Sequence, residues 1–265
     1  VGGAGQDRAY FNGTEGDDLV TVSADVGNLM TDRMDVFTNG FENVVARDSN
    51  GHDTLRFLDT MEDERFYSYA THSVMYSDES VLSGYGFESV TAMSNIGGLD
   101  KATLFDSSGD DSLFANDQVL RITDSSSVRE ARGFDRTKTI SNRGLDTAEL
   151  IGTDDRETLY GTLDALVLNG NGFVHNLQGF QTVLILSGDG DDKFYLGDTA
   201  GDDLIELRDG QLRWTESDRS LSASRFVTQV VRATGEGQDR IVFYGSTDSD
   251  RFTRSEAVAS MTTGV

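Results

Sequence analysis

The chain has 265 residues and contains neither cysteine nor proline. Without cysteine it can build no disulfide framework and no thiolate metal site. Without proline no turn rests on a fixed φ, so turns fall to Gly, Asn, Asp and Ser, which reach positive φ. The 29 glycines meet that need. Positive charge is scarce: of 22 basic residues only three are lysine (Lys101, Lys138, Lys193), and 46 acidic residues leave a net charge of −24. Such a field repels a phosphate backbone, which excludes nucleic-acid binding, and favours cations and polar or cationic surfaces. The bias suits a protein kept soluble in a salty medium, and genome composition explains the scarce lysine equally well. No apolar run approaches the roughly 20 residues of a membrane span, and the N-terminus shows no signal-peptide pattern.

What is present is a repeat, the feature to seek before any other. With Asp7 as position zero, equivalent residues are Asp53, Asp100, Asp146, Asp192 and Asp239, at spacings of 46, 47, 46, 46 and 47. Two places earlier stands Gly5, Gly51, Gly98, Gly144, Gly190 or Gly237. Position four is large and apolar (Phe11, Phe57, Leu104, Leu150, Leu196, Phe243), and position seven is a hydroxyl (Thr14, Thr60, Ser107, Thr153, Thr199, Ser246). Position eleven is a carboxylate: Asp18, Glu64, Asp111, Glu157, Asp203 and Asp250. Position thirty-four is Phe41, Phe87, Phe134, Phe180 or Phe226. The uniform period reads as a single array over 1–265 of about five and a half repeats. Its start inside a turn and its end before a sixth phenylalanine suggest a piece of a longer protein, with its targeting signals elsewhere.

Each repeat holds three strand-length runs. Examples are TAELIG (147–152), DDSLFA (110–115) and GFESVTA (86–92). Between the second and third runs lies a polar excursion of about 18 residues with hairpin signals at Asn169-Gly170 and Asp209-Gly210. No segment sustains the 3.6 period of a helix. The pattern predicts an all-β parallel β-helix, or β-solenoid, right-handed, with about 46 residues per coil: three short strands plus an outward hairpin. Ala102, Leu104, Leu113, Val90 and Phe87 face its core. The alternative is a β-propeller, whose blades recur at similar length.

Stacked coils would set the position-zero aspartates in one file, about 4.8 Å apart. Neighbouring charges at that distance repel by about 1 kcal/mol in water and ~3–4 kcal/mol at an effective dielectric of 20. A second file runs from Asp18 to Asp250, with a partial third at Asp17, Asp63, Asp110 and Asp202. Hard oxygen donors in number are what Ca²⁺ takes. The candidate metal ligands are therefore Asp7, Asp18, Asp53, Glu64, Asp100, Asp110, Asp111, Asp146, Glu157, Asp192, Asp202, Asp203, Asp239 and Asp250. A competing reading makes these side chains turn caps that accept backbone N–H groups, or plain solvated surface.

GGAGQDRAY (2–10) resembles the nonapeptide G-G-x-G-x-D-x-U-x of the RTX, or haemolysin-type calcium-binding, family. SGDGDDKFY (187–195) and TGEGQDRIV (234–242) match it apart from the first glycine. That resemblance implies a parallel β-roll with calcium between turns. Here, however, one such turn appears per repeat rather than in tandem, and the turns at Gly51, Gly98 and Gly144 lack the inner polar residue. As a whole the chain resembles the long repeats of very large secreted proteins of planctomycete-type bacteria, through runs such as GLDTAELIGTDD and GDDSLFA.

The acidic pairs Asp17-Asp18, Asp110-Asp111 and Asp202-Asp203 could be read as glycosidase carboxylates. Catalysis, however, needs one asymmetric acid and base, and this pair recurs in most repeats. His52, His72 and His175 lack metal-ligand spacing and read as surface or hairpin residues. Trp214, Tyr195, Tyr244 and Tyr160 read as strand packing or as a sugar-stacking face. One hydroxyl per repeat is too sparse for an ice-binding lattice, and the Gly-rich turns lack the lysine of a phosphate loop. The expectation is a non-enzymatic, extracellular or cell-surface bacterial segment, a fibre, spacer, adhesin or surface-layer component. Calcium would stabilise it, and it would self-associate end to end or laterally. The alternative is a carbohydrate-binding or polysaccharide-cleaving β-helix.

Overall fold

The computed structural model describes residues 1–48, 50–208, 210–232, 236–245, 251–254 and 259–262. Every regular element among them is a strand. The first repeat forms β1 (Arg8–Asn12), β2 (Leu19–Val22), β3 (Val26–Met30), β4 (Asp35–Asn39) and β5 (Asn43–Arg47). The second forms β6 (Thr54–Leu58), β7 (Arg65–Tyr69), β8 (His72–Tyr76), β9 (Val81–Tyr85) and β10 (Ser89–Met93). The third gives β11 (Lys101–Phe105), β12 (Ser112–Ala115), β13 (Val119–Thr123), β14 (Val128–Arg132) and β15 (Arg136–Ile140). The fourth gives β16 (Thr147–Ile151), β17 (Thr158–Gly161), β18 (Ala165–Asn169), β19 (Val174–Gln178) and β20 (Thr182–Leu186). The fifth gives β21 (Lys193–Gly197), β22 (Leu204–Arg208), β23 (Gln211–Glu216), β24 (Arg219–Ser224) and β25 (Thr228–Arg232). Last come β26 (Arg240–Tyr244), β27 (Arg251–Arg254) and β28 (Ala259–Thr262).

The chain divides into two compact units, Val1–Asp111 with Gln118–Thr139, and Ser112–Asp117 with Ile140–Val265. Each is a parallel β-solenoid of two sheets, not a propeller. In the first unit the sheet orders are β1-β5-β9-β8-β7-β11-β15 and β4-β3-β2-β6-β10-β14-β13. In the second they are β19-β18-β17-β21-β25-β28-β27 and β12-β16-β20-β24-β23-β22-β26.

Two details differ from the sequence expectation. The excursion is no outward rib. Its two strands join the second strand of the repeat in an antiparallel meander lying within a sheet, as in β7-β8-β9 and β17-β18-β19. Their inward residues are too apolar to stand in water, and Leu29, Met75, Leu120, Ile122, Leu166, Leu168 and Leu212 are buried.

The stacking offset also differs from the repeat length. Parallel neighbours pair Arg8 with Asn43, Leu19 with Thr54, Thr147 with Thr182, and Leu204 with Arg240. A strand and its corner take eleven residues, so position eleven of one repeat meets position zero of the next, about 35 residues on. Successive repeats therefore exchange sheets. In the first unit the β2-β3-β4 meander lies in one sheet and β7-β8-β9 in the other. Between the sheets Phe57 packs on Phe66 at 5.5 Å, and Phe66 on Phe134 at 6.2 Å. Phe194 meets Phe226 at 5.4 Å in the second unit.

Candidate functional site

The offset places the acidic residues at the corners in an order the repeat alone does not show. Side chains at position zero, and at the position just after the column phenylalanine, receive the backbone N–H of an acidic residue at the neighbouring level of the corner. In the first unit the N–H of Asp18 donates to Asp53 Oδ1 (2.8 Å) and that of Asp53 to Glu88 Oε2 (2.8 Å). In a separate column Glu64 N–H donates to Asp100 Oδ1 (2.7 Å) and Asp100 N–H to Asp135 Oδ2 (2.8 Å). Asp7 N–H donates to Glu42 Oε2 (2.7 Å). In the second unit Glu157 N–H donates to Asp192 Oδ1 (2.7 Å), Asp203 N–H to Asp239 Oδ1 (3.2 Å), and Asp146 N–H to Gln181 Oε1 (2.6 Å). The position-zero aspartates thus form no file of their own. They alternate with position eleven and with a third acidic position, thirty-five, that sequence reasoning missed. Its signal was the residue after each column phenylalanine: Glu42, Glu88, Asp135, Gln181.

The position-seven hydroxyl turns back onto the position-eleven carboxylate: Thr60 Oγ1 to Glu64 Oε1 (2.5 Å), Ser107 Oγ to Asp111 Oδ2 (2.9 Å), Thr153 Oγ1 to Glu157 Oε1 (2.5 Å) and Thr199 Oγ1 to Asp203 Oδ2 (3.1 Å). Thr14 does the same for Asp18 at 3.2 Å. The outer file caps as well. Asp17, Asp63 and Asp202 each accept an N–H one coil later, from His52, Leu99 and Gln238, all at 2.8 Å. Asp110 is exposed, and Asp250 and Ser246 lie outside the described residues.

Capping does not remove the charge. Asp18, Asp53, Glu64, Asp100, Asp111, Asp146, Glu157, Asp192 and Asp203 are all buried, while Asp7 and Asp239 are half-buried. Within the units a further acid joins three of the pairs: Asp48 beside Asp18 and Asp53, Asp59 beside Glu64 and Asp100, and Asp198 beside Asp203 and Asp239. In each group one oxygen per residue lies within 4.8 Å of the others. Gly13 makes room for Asp48, since a Cβ there would stand 2.0 Å from Asp48 Oδ2. At Glu157 and Asp192, Gly152 occupies the place that Asp59 and Asp198 hold in their repeats, and among the described residues no third acid joins the two. A Cβ on Gly152 would meet Glu157 Oε2 at 2.6 Å.

Burial disfavours the ionised form and pushes Asp53, Glu157, Asp192 and Asp239 above the usual carboxylate range. It lifts Glu64 to about 7, with Asp100 adding repulsion.

Two core positions send polar atoms toward the corner acids. Position twenty-nine is Leu82 and Leu221 in two repeats but Arg129 and His175 in two others. The Arg129 guanidinium is 1% exposed and lies 3.9 Å from Asp111 Oδ1 and 3.4 Å from Asp124 Oδ2, with Nη1 donating to Phe105 O (2.5 Å). Burial lowers its pKa against the pull of Asp124 and Asp111. Asp124 is lowered despite its burial, because Ser127 and Ser126 donate to it. His175 is no surface residue: it is buried against Phe173, its Nε2 is 2.9 Å from Asn116 O, and burial pushes its pKa down to about 4. Trp214 is fully buried and donates Nε1–H to Asp203 Oδ1 at 2.6 Å, so it offers no face to a sugar.

Exposed and half-buried rings do line up on one outer column of the first unit, Tyr85–His72–Tyr69–Phe105, with ring centroids 5.5, 4.6 and 4.4 Å apart and planes within 13° of parallel. In the second unit Tyr160 stacks on Tyr195 at 5.6 Å, and Arg208 lies over Tyr244 at 4.5 Å.

Fold and site together define an all-β, parallel β-solenoid whose corners are lined with buried, backbone-capping carboxylates. No protein-family model, no curated protein and no solved structure matches this chain.

Proposed function

We propose that the chain is a non-enzymatic structural or adhesive segment, a spacer, fibre or surface-layer component outside a bacterial cell, stabilised by calcium at its acidic corners. The observation that carries this reading is the ladder itself. Coil after coil, the corner carboxylate is committed to a neighbouring coil's N–H, as in Asp18–Asp53–Glu88 and Glu64–Asp100–Asp135. Side chains spent in this way hold coils together, whereas catalysis needs a distinct acid and base at one place. The net charge of −24 and the likeness of the turns to RTX nonapeptides favour calcium as the counter-ion. Among the described residues no helix is long and apolar enough to cross a membrane.

Self-association belongs to the same reading. Among the described residues β4 has a neighbour on one side only, and Met30, Met34, Val36 and Phe37 are exposed there, Phe37 by 66%. Such an edge is a template for another strand. The carbohydrate reading fares less well: the outer rings stack face to face and cover the surfaces a sugar would need.

Thermal unfolding with calcium and with chelator, at one ionic strength, tests the assignment. Chelation is expected to lower Tm by several degrees; an unchanged Tm removes calcium from the proposal.

A further inference from the structure

We propose that Asp59, Glu64 and Asp100 hold one hard divalent cation, calcium by preference, inside a corner of the first unit. The inference rests on the calcium reading above and names where the ion sits. These acids are 6, 1 and 1% exposed, and each offers an oxygen within 4.8 Å of the others. No basic side chain among the described residues stands within 4.0 Å of any of the three.

Their hydrogen bonds leave one fully buried oxygen over. Asp100 Oδ1 takes the Glu64 N–H (2.7 Å) and Oδ2 the Ser94 hydroxyl (2.5 Å). Asp59 Oδ2 takes the N–H groups of Asn95 and of Ile96, the latter at 2.8 Å. Glu64 Oε1 takes both the N–H and the hydroxyl of Thr60. Glu64 Oε2 is buried and receives no donor. A buried carboxylate oxygen without a donor calls for a proton or a cation.

Other corners show how the chain answers this demand. Asp111 has the buried Arg129 guanidinium at 3.9 Å, a positive charge supplied by the protein. Glu157 and Asp192 lack a third acid, and one shared proton gives such a pair its missing donor. At Asp59, Glu64 and Asp100 a single proton would still leave two buried negative charges within 4.8 Å, with no guanidinium near. A cation meets both needs. With so little exposure the site has scant room for the water shell that Mg²⁺ keeps, which favours Ca²⁺.

Equilibrium dialysis of radioactive calcium against the full chain, at fixed ionic strength, tests the assignment in the parent, Glu64→Gln, Asp59→Asn and Glu157→Gln. The first two substitutions keep side-chain shape and remove one charge each from the site. Each is expected to bind one tight ion fewer than the parent, while Glu157→Gln binds as many as the parent. Full binding by Glu64→Gln, or by Asp59→Asn should Glu64→Gln fail to fold, overturns the site. A parent that binds no ion removes both the site and the calcium reading. If Glu64→Gln loses an ion and chelation leaves the parent's Tm unchanged, the site stands and the stabilising role falls.

Discussion

At the scale of single residues, the most exceptional side chain is Arg129, a guanidinium in a column that elsewhere holds Val36, Leu82, His175 and Leu221. Removing one partner of a buried pair strands the other. Arg129→Met is therefore expected to cost about 3–5 kcal/mol, read by denaturant unfolding, even though methionine fills the space.

A second residue-scale prediction concerns pH. Glu64 rises from its ordinary 4.5 to about 7 on folding, so between those values the folded chain keeps a proton that the unfolded chain has lost. In chelator, stability then increases as pH is lowered from 8 to about 6.5. His175 works in the opposite sense. Its pKa falls from 6.5 to about 4, so below pH 6.5 the unfolded chain gains a proton that the folded one refuses, and stability is lost. Below pH 6.5 the two effects offset each other, so melting curves in chelator should rise from pH 8 to about 6.5 and then level off, and Glu64→Gln should flatten the rise.

A third prediction is conformational. Position thirty-three has positive φ in all five described repeats: Gly40 (72°), Gly86 (87°), Gly133 (75°), Gly179 (83°) and Arg225 (69°). An L-residue there is strained by about 1–2 kcal/mol. Part of that returns in Arg225→Gly, less the extra freedom glycine gives the unfolded chain. The exposed pair Arg225–Asp189 at 3.5 Å contributes little. A gain of up to about 1 kcal/mol is expected for Arg225→Gly. Gly133→Ala should lose stability, because its Cβ would stand 2.0 Å from Ser94 O.

At the scale of elements, the hairpins decide how the sequence should be read. The apolar alternation of ALVL (165–168) and of IEL and QLRW (205–207, 211–214) identified strands, and Asn169-Gly170 identified the reversal between two of them. None of this told whether the pair stands outside a sheet or within it. Membership of the sheet depends on a neighbour: β18 pairs with β17 and β19 on its two sides, and no short-range signal names them. The distinction is measurable. Leu120→Ala in β13 and Leu166→Ala in β18 are each expected to cost about 2–5 kcal/mol, as truncations in a packed core do. An outward rib would lose almost nothing.

At the scale of the whole molecule, what matters is which edge is covered. Val36 holds the column position of Leu82 and Leu221, yet it is 36% exposed because β4, among the described residues, pairs on one side only. Sedimentation of the parent chain should show concentration-dependent association. Phe37→Lys, which places a charge on that edge, should abolish it.

The sequence by itself determined the strands, the turns, the all-β class and the acidic corners, because those follow from local alternation, from glycine's access to positive φ and from a period that repeats six times. It assigned Asp18, Asp53, Glu64 and Asp100 to the corners without saying which would meet. The tertiary structure decided the partners: Asp53 lies against Asp18 and Glu88 rather than against Asp7 or Asp100. A 46-residue period counts distance along the chain, whereas neighbours are set by strand pairing at about 35 residues. It is that pairing which gathers Asp59, Glu64 and Asp100 into one buried group and leaves Glu157 and Asp192 as a pair.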